Sequence, residues 1–207
     1  LIVLVALLVL SARPALKAVT FANRPHETFV VAREASRALK LPLTFDSITS
    51  LATFDGKPLP VSLPKLFDGT LLLPIQDLKP NTYDLKPGPK RVYVDLTKQE
   101  IWAWEGSLVV MHTAISSGRD LKDTPPGDYK AGTKEEMHIS TIYGSKMPFS
   151  VHLQGPYFIH GSELTMSTPG SHGCVRLPMY NNAAEWFFAW VSPGTPVAVR
   201  GKRKQPQ

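Results

Sequence analysis

From residue 91 onward the chain is a succession of short apolar stretches separated by turn-forming residues. The stretches 91–96, 100–105, 108–116, 127–134, 137–142, 148–154 and 157–160 carry β-branched and aromatic residues in near alternation. That two-residue period is what a strand with one buried face requires, and a helix cannot satisfy it. Only 179–191 has helical spacing. It follows Pro178 and gathers Trp186, Phe187 and Trp190 on one broad apolar face, a composition that packs into a core. A last strand is expected at 196–199. Residues 91–201 therefore predict a mostly β domain with one main helix, and 202–207 a basic tail.

Residues 79–90 are dense in Pro, Gly and Asn, which disfavours regular structure, so 81–90 is expected to be a linker. Before it, 19–21 and 28–31 read as strands, 32–39 as a helix and 41–45 as extended chain. Asp55-Gly56 signals a turn, and 69–78 repeats the order of a short strand followed by the start of a helix. This predicts a small α+β domain over 19–80. The stretches V-x-x-R-E-A-x-x-A-L, from Val30, and D-G-T-L-L-L-P, from Asp68, resemble the N-terminal domain of copper amine oxidases. That domain also occurs attached to bacterial envelope proteins, and the likeness implies no copper chemistry.

Residues 1–10 are unbroken apolar. Ten residues are too few to span a bilayer, which takes about 20, but they suit the apolar region of a signal peptide. Ala12, Ala15 and Ala18 are candidate cleavage positions, so 1–18 is expected to be a leader or membrane anchor, with a buried strand as the alternative. The net charge of +6 favours an anionic partner. Apart from Arg200, Lys202, Arg203 and Lys204 the cations are scattered, which does not describe a nucleic-acid groove.

The one cysteine, Cys174, lies in Ser171-His172-Gly173-Cys174-Val175-Arg176-Leu177. With no second cysteine it forms no disulfide within the chain, and its interest is reactivity. A thiol with a free pKa near 8.5 needs a base close by to attack a carbonyl at neutral pH. His172 is two residues away and would share a side with Cys174 on extended chain; His160 ends an expected strand that can pair beside the cysteine segment. Gly173 permits unusual backbone angles, so that the N–H groups of Gly173 and Cys174 can face a developing oxyanion. His26, His112, His138 and His152 read as packed or solvated side chains. Zinc on His160, His172 and Cys174 would lack a fourth protein ligand at finger-like spacing, so no metal is expected.

His160-Gly161-Ser162 followed by the Ser171–Leu177 run resembles the signature of the L,D-transpeptidase catalytic domain, the YkuD family. Asp123-Thr124-Pro125-Pro126-Gly127-Asp128-Tyr129 and Met147-Pro148-Phe149 resemble two further segments of that domain, in the same order. The resemblance implies a β-sandwich or barrel with one main helix. It also implies Cys174 as nucleophile and His160 as general base, the ring held by a backbone carbonyl near Gly161–Ser162. Arg176 would bind a substrate carboxylate, His172 would line the acceptor side or support the site, and Ser171 would brace the loop; Met147 and Phe149, with Tyr143, would form a substrate-facing wall, with core packing as the alternative.

The implied substrate is the peptidoglycan stem tetrapeptide. Its third-residue carbonyl is attacked, D-Ala leaves, and an amine resolves the thioester to give a 3→3 cross-link. Carbapenem-type β-lactams would acylate the thiol, and no cofactor is implied. Such a protein would be exported to the periplasm, the cell wall or the outer face of the cytoplasmic membrane, with the small domain a candidate wall binder. L,D-carboxypeptidase activity and a non-catalytic wall-binding role are the alternatives. A papain-like protease is set aside, because the sequence around Cys174 and its short spacing from His160 do not match that pattern.

Overall fold

A computed structural model describes residues 12–164 and 166–202. The apolar run 1–10 and the basic pair Arg203 and Lys204 lie outside the described residues. The chain first forms a hairpin of β1 (Ala15–Phe21) and β2 (Arg24–Val31), followed at once by α1 (Ala32–Leu39). α1 buries Ala32 and Ala35 and stops at Lys40, whose left-handed backbone (φ 55°) turns the chain back. Three short strands follow as an antiparallel sheet: β3 (Leu43–Asp46), β4 (Leu51–Phe54) and β5 (Lys57–Pro58). Then β6 (Leu72–Pro74) pairs with β2, and β7 (Asp84–Lys86) pairs in parallel with β1.

Two boundaries differ from expectation. β1 begins at Ala15, inside the stretch read as a leader, with Leu16 and Ala18 buried. β7 falls inside the expected linker, where Ala15, Leu16 and Lys17 supply a strand for Asp84, Leu85 and Lys86. The pairing partner, about 70 residues away in sequence, offsets the poor local propensity of the Pro-Gly segment.

The second half is built from β8 (Lys90–Asp95), β9 (Glu100–Glu105), β10 (Leu108–Ala114), β11 (Gly127–Lys130), β12 (Lys134–Ile139), β13 (Lys146–Gln154), β14 (Tyr157–Ser162), β15 (Val175–Pro178), α2 (Ala183–Trp190) and β16 (Pro196–Arg200). Two sheets result, ordered β10-β9-β8-β16-β11 and β12-β13-β14-β15. Their inner faces meet in one core, Val92, Val94 and Ile101 from the first against Val151, Ile159, Val175 and Leu177 from the second. The fold is mostly β, as the alternation requires. α2 starts later than the expected 179: Met179 N–H bonds the Ser162 carbonyl and Asn182 is left-handed (φ 59°), so 179–182 are a turn.

The N-terminal strands join this same core through Val19, Phe21, Phe29 and Leu72. Phe21 and Phe67 pack edge-on against Trp186, at 5.7 and 6.2 Å between ring centres, and Trp186 Nε1–H donates to the Lys65 carbonyl at 2.9 Å. Glu105 is buried at the same seam, accepting from Thr20 N–H (3.1 Å), Thr20 Oγ1 (2.6 Å) and Trp190 Nε1 (3.0 Å). Behind it, Lys90 Nζ donates to the Trp190 carbonyl at 2.7 Å, and Lys134 Nζ to the carbonyls of Phe188 and Val191. These ammonium groups satisfy carbonyls that the last turn of α2 leaves without a helical partner, and they favour its negative dipole end.

Candidate active site

β14 and β15 run parallel, with Ile159 opposite Val175 and His160 opposite Arg176. The pairing sets His160 and Arg176 side by side, while Cys174 precedes Arg176 by two residues, the spacing that returns to the same face of extended chain. Cys174, His160, Arg176, His172, Ser171 and Met147 all line one open cavity of about 760 Å³. Phe149, expected in the same wall, is absent from the cavity lining: its backbone is left-handed (φ 53°), and its ring packs on Phe188 of α2 at 5.7 Å. A positive φ at a bulky residue breaks the strand alternation that would have returned it to the side of Met147.

The turn carrying the thiol is held from behind. Gly173 has φ +115°, and a Cβ there would stand 2.7 Å from the Tyr157 ring, so only glycine fits on both counts. Thr124 Oγ1 donates to the Gly173 carbonyl and accepts from Gly118 N–H, each at 2.8 Å. Ser171 Oγ donates to the Cys174 carbonyl at 2.5 Å and accepts the Gly173 N–H at 3.1 Å. The Gly173 donor expected to face an oxyanion is thus engaged by Ser171, through a bond at the long end of the N–H···O range. Below, the Ser117 carbonyl accepts the N–H groups of Gly170 and Ser171, both at 2.9 Å. Ser117 is in turn locked to buried Gln99, whose Oε1 accepts Ser117 N–H at 2.9 Å.

His160 is 6% exposed, and its Nδ1–H donates to the Gly161 carbonyl at 2.8 Å. This assigns the proton to Nδ1 and leaves the Nε2 lone pair as the acceptor. Burial, reinforced by the charge of Arg176, pushes the His160 pKa down to about 4 against the opposing Gly161 bond, so the ring is neutral at pH 7. Burial likewise pushes the Cys174 thiol above its ordinary value, opposed by the Phe158 N–H and the Arg176 guanidinium. The sulfur donates to the Pro156 carbonyl at 3.6 Å. The resting pair is a neutral thiol and a neutral imidazole rather than a thiolate–imidazolium ion pair. Gly161 matters for packing: a Cβ would lie 2.3 Å from Met179 Sδ and 3.0 Å from Ala184 Cβ, so its lack of a side chain lets α2 seat behind His160.

His172 is oriented away from a base's task. Its Nε2 accepts from Arg119 at 2.8 Å, its ring stacks on Tyr143 at 4.3 Å, and its pKa is lowered by desolvation and by the charges of Arg119, Arg176 and Lys122. The two histidine candidates are thereby separated: His160 keeps a free lone pair, whereas that of His172 is taken. Arg176 Nη1 donates to the Gly170 carbonyl at 2.9 Å while lining the cavity. Sequence reasoning missed Arg119, Gln99 and the cavity position of His138, which stacks on Phe158 at 4.7 Å. Thr124 lay in the quoted T-P-P-G-D-Y turn, but nothing local marked its hydroxyl as the brace of Gly173. Among the described residues no group of three or more His, Cys, Asp or Glu side chains is placed to hold a metal ion.

The sequence pattern of the L,D-transpeptidase catalytic domain (YkuD) matches residues 89–199, and the chain belongs to that family. An L,D-transpeptidase structure from Stackebrandtia nassauensis is 30% identical, with a TM-score of 0.52, over 56% of this chain and 57% of the other. The match thus spans less than two thirds of that relative. An L,D-transpeptidase from Mycobacterium smegmatis shares the fold across 92% of this chain and 95% of its own, at 16% identity and a TM-score of 0.51. A further L,D-transpeptidase, LdtMt1 in complex with imipenem, aligns over 93% of this chain and 96% of its own at 16% identity and a TM-score of 0.50. Comparison with curated protein sequences gives no match.

Proposed function

We propose that the chain is a peptidoglycan L,D-transpeptidase that uses Cys174 as nucleophile and His160 as general base. The observation that carries this reading is the pairing, in one cavity, of the sole thiol with a buried neutral histidine whose Nδ1 is already bonded to a carbonyl. As the sulfur attacks the third-residue carbonyl of a stem tetrapeptide, its proton passes to His160 Nε2. The carbonyl electrons move onto oxygen, where the Cys174 N–H, with Gly173 N–H released from Ser171, stabilises the charge. Collapse breaks the peptide bond, and D-Ala leaves with the proton returned by the imidazolium. The thioester is then attacked by an acceptor amine, which gives its proton to His160 and finally to the departing thiol. Arg176 holds a substrate carboxylate, and Met147 lines the donor cleft.

A side-chain amine of a second stem as acceptor gives the 3→3 cross-link; water gives the tripeptide, and a free D-amino acid gives exchange. The substrate lies outside the cytoplasmic membrane, so this reading carries export with it, in keeping with the apolar start of the sequence. Mass spectrometry of disaccharide-tetrapeptide incubated with the enzyme tests the reading. A dimer lacking one D-Ala is expected, and it should be absent with Cys174→Ala. Unchanged tetrapeptide with the parent enzyme would refute it. Imipenem is expected to add its mass once, on the peptide containing Cys174, since a relative is known in complex with that compound. No adduct at that residue would count against the nucleophile.

The protonation states set a pH dependence. With His160 near pKa 4, the acid limb of kcat/KM should lie near pH 4 instead of the ordinary histidine value near 6.5. An acid limb at 6–7 in a profile measured from pH 3.5 to 8 would show that the base is not a desolvated His160. The same shift bears on stability. The unfolded chain binds a proton at this site below pH 6.5 that the folded chain refuses, so stability falls as pH drops from 6.5 toward 4, by roughly 3 kcal/mol in total.

A further inference from the structure

The outward face of the sheet β10-β9-β8-β16-β11 carries aromatic side chains that neither the core nor the cavity uses. Register places Tyr93, Trp102 and His112 in one row across β8, β9 and β10, and Arg91 with Trp104 in the next. The rings are mutually ordered: His112 stacks on Trp102 at 4.4 Å with 9° between planes, and Tyr93 lies 6.2 Å from Trp102. Beside them the face drops into a groove of about 330 Å³, lined by Arg91, Tyr93, Trp104, Asp128, Pro196 and Ala198 among others. On β16, Ala198 stands between Tyr93 of β8 and Asp128 of β11, and Pro196 stands opposite Lys130 of β11, so small side chains leave the space open.

We propose that this groove and its aromatic row bind a neutral glycan chain of β-linked amino sugars. The proposal deepens the transpeptidase reading and rests on it, because stem peptides are borne on such a polymer. Cross-strand aromatic pairs do support a sheet, by roughly 0.2–1 kcal/mol each. That role leaves unexplained a groove walled by Tyr93 and Trp104 that stays open to solvent. A pyranose ring presents an apolar C–H face to an aromatic π-system and polar groups at its edge, and this face supplies both kinds of partner.

The charges argue against a polyanion. Arg91 is held by the Gly106 carbonyl at 2.7 Å and lies over Trp104 at 4.9 Å; Lys98 lies over Trp102 at 5.7 Å. Arg200 pairs with Asp128, and Glu100 sits 3.5 Å from His112 Nε2. Cations and carboxylates alternate and already have partners, so hydroxyl and acetamido groups fit where a phosphate chain gains little. The groove belongs to the sheet that does not carry Cys174. A neighbouring glycan strand can therefore be held there while a stem peptide occupies the cavity.

The test titrates the full-length protein with a β-1,4-linked N-acetylglucosamine hexamer, followed by tryptophan fluorescence and calorimetry. It is run beside D-Ala release from soluble disaccharide-tetrapeptide. Saturable binding is expected, weakened at least about tenfold, or 1.4 kcal/mol, by Trp104→Ala, with D-Ala release unchanged. Ala198→Leu, which fills the groove and removes no packing ring, should weaken binding equally. No saturation, undiminished binding by Ala198→Leu, or binding of an anionic polymer in preference to the hexamer would each overturn the proposal. The hexamer has no stem peptide, so the two readings fail separately. Binding without D-Ala release would sink the enzyme assignment alone, and release without binding would sink this one.

Discussion

A Gly173→Ala variant is expected to lose D-Ala release by roughly a hundredfold or more while remaining folded. The position is left-handed at φ +115°, a conformation that L side chains rarely adopt, and the added Cβ would stand 2.7 Å from the Tyr157 ring. Relief requires Tyr157 to move or the backbone to rotate toward negative φ. Either shift displaces the next residue, Cys174, relative to His160, and loosens the bonds from Thr124 to the Gly173 carbonyl and from Gly173 to Ser171. A displacement of about 1 Å at a nucleophile is enough for a loss of this size. Steady-state kinetics with circular dichroism on the same preparation would check it. Wild-type turnover in a folded Gly173→Ala protein would show that the turn does not position the thiol.

The second large effect concerns the seam between the N-terminal strands and the rest. Glu105→Ala is expected to cost about 3–5 kcal/mol and to lower the melting temperature by about 10 °C. Its carboxylate is the common acceptor for Thr20 N–H, Thr20 Oγ1 and Trp190 Nε1, and those donors would be stranded against an apolar core. Each buried donor left without a partner costs about 1–3 kcal/mol. The loss of charge adds a second consequence, because Glu105 opposes the desolvation of Lys90, which holds the Trp190 carbonyl. Calorimetric melting gives the total. Limited proteolysis within 79–90 gives the location, since weakening the seam should expose that segment first. A melting temperature within 2 °C of the parent would mean that water or a neighbouring side chain replaces the carboxylate. That range is about what 1 kcal/mol produces in a domain of this size.

Many elements were legible because their determinants lie within a few residues of each other. The helix expected at 32–39 is α1 to the residue, since its apolar spacing and its stop at Lys40 are local. β8, β9 and β13 fall where alternation placed them, within one or two residues. β4, β5 and β7 were not anticipated; each has two to four residues, too few to show a period, and forms because a partner strand offers hydrogen bonds. Start positions slipped for the same reason. α2 opens at Ala183 because Ser162, far back in the chain, takes the Met179 N–H and holds the preceding turn.

By itself the sequence determined the family, through Cys174 and its flanking run, and the mostly β character, through a two-residue alternation that only strands satisfy. Tertiary structure alone decided which histidine keeps a free nitrogen. His160 is buried on β14 with Nδ1 bonded to the Gly161 carbonyl, while His172 is turned to Arg119, 53 residues away. It also sent Phe149 to α2 and set Glu105 against Thr20, 85 residues distant. Periodicity records which faces are apolar. Protonation, desolvation and hydrogen-bond choice depend on the neighbours that burial brings close, and a linear chain does not hold those neighbours in order.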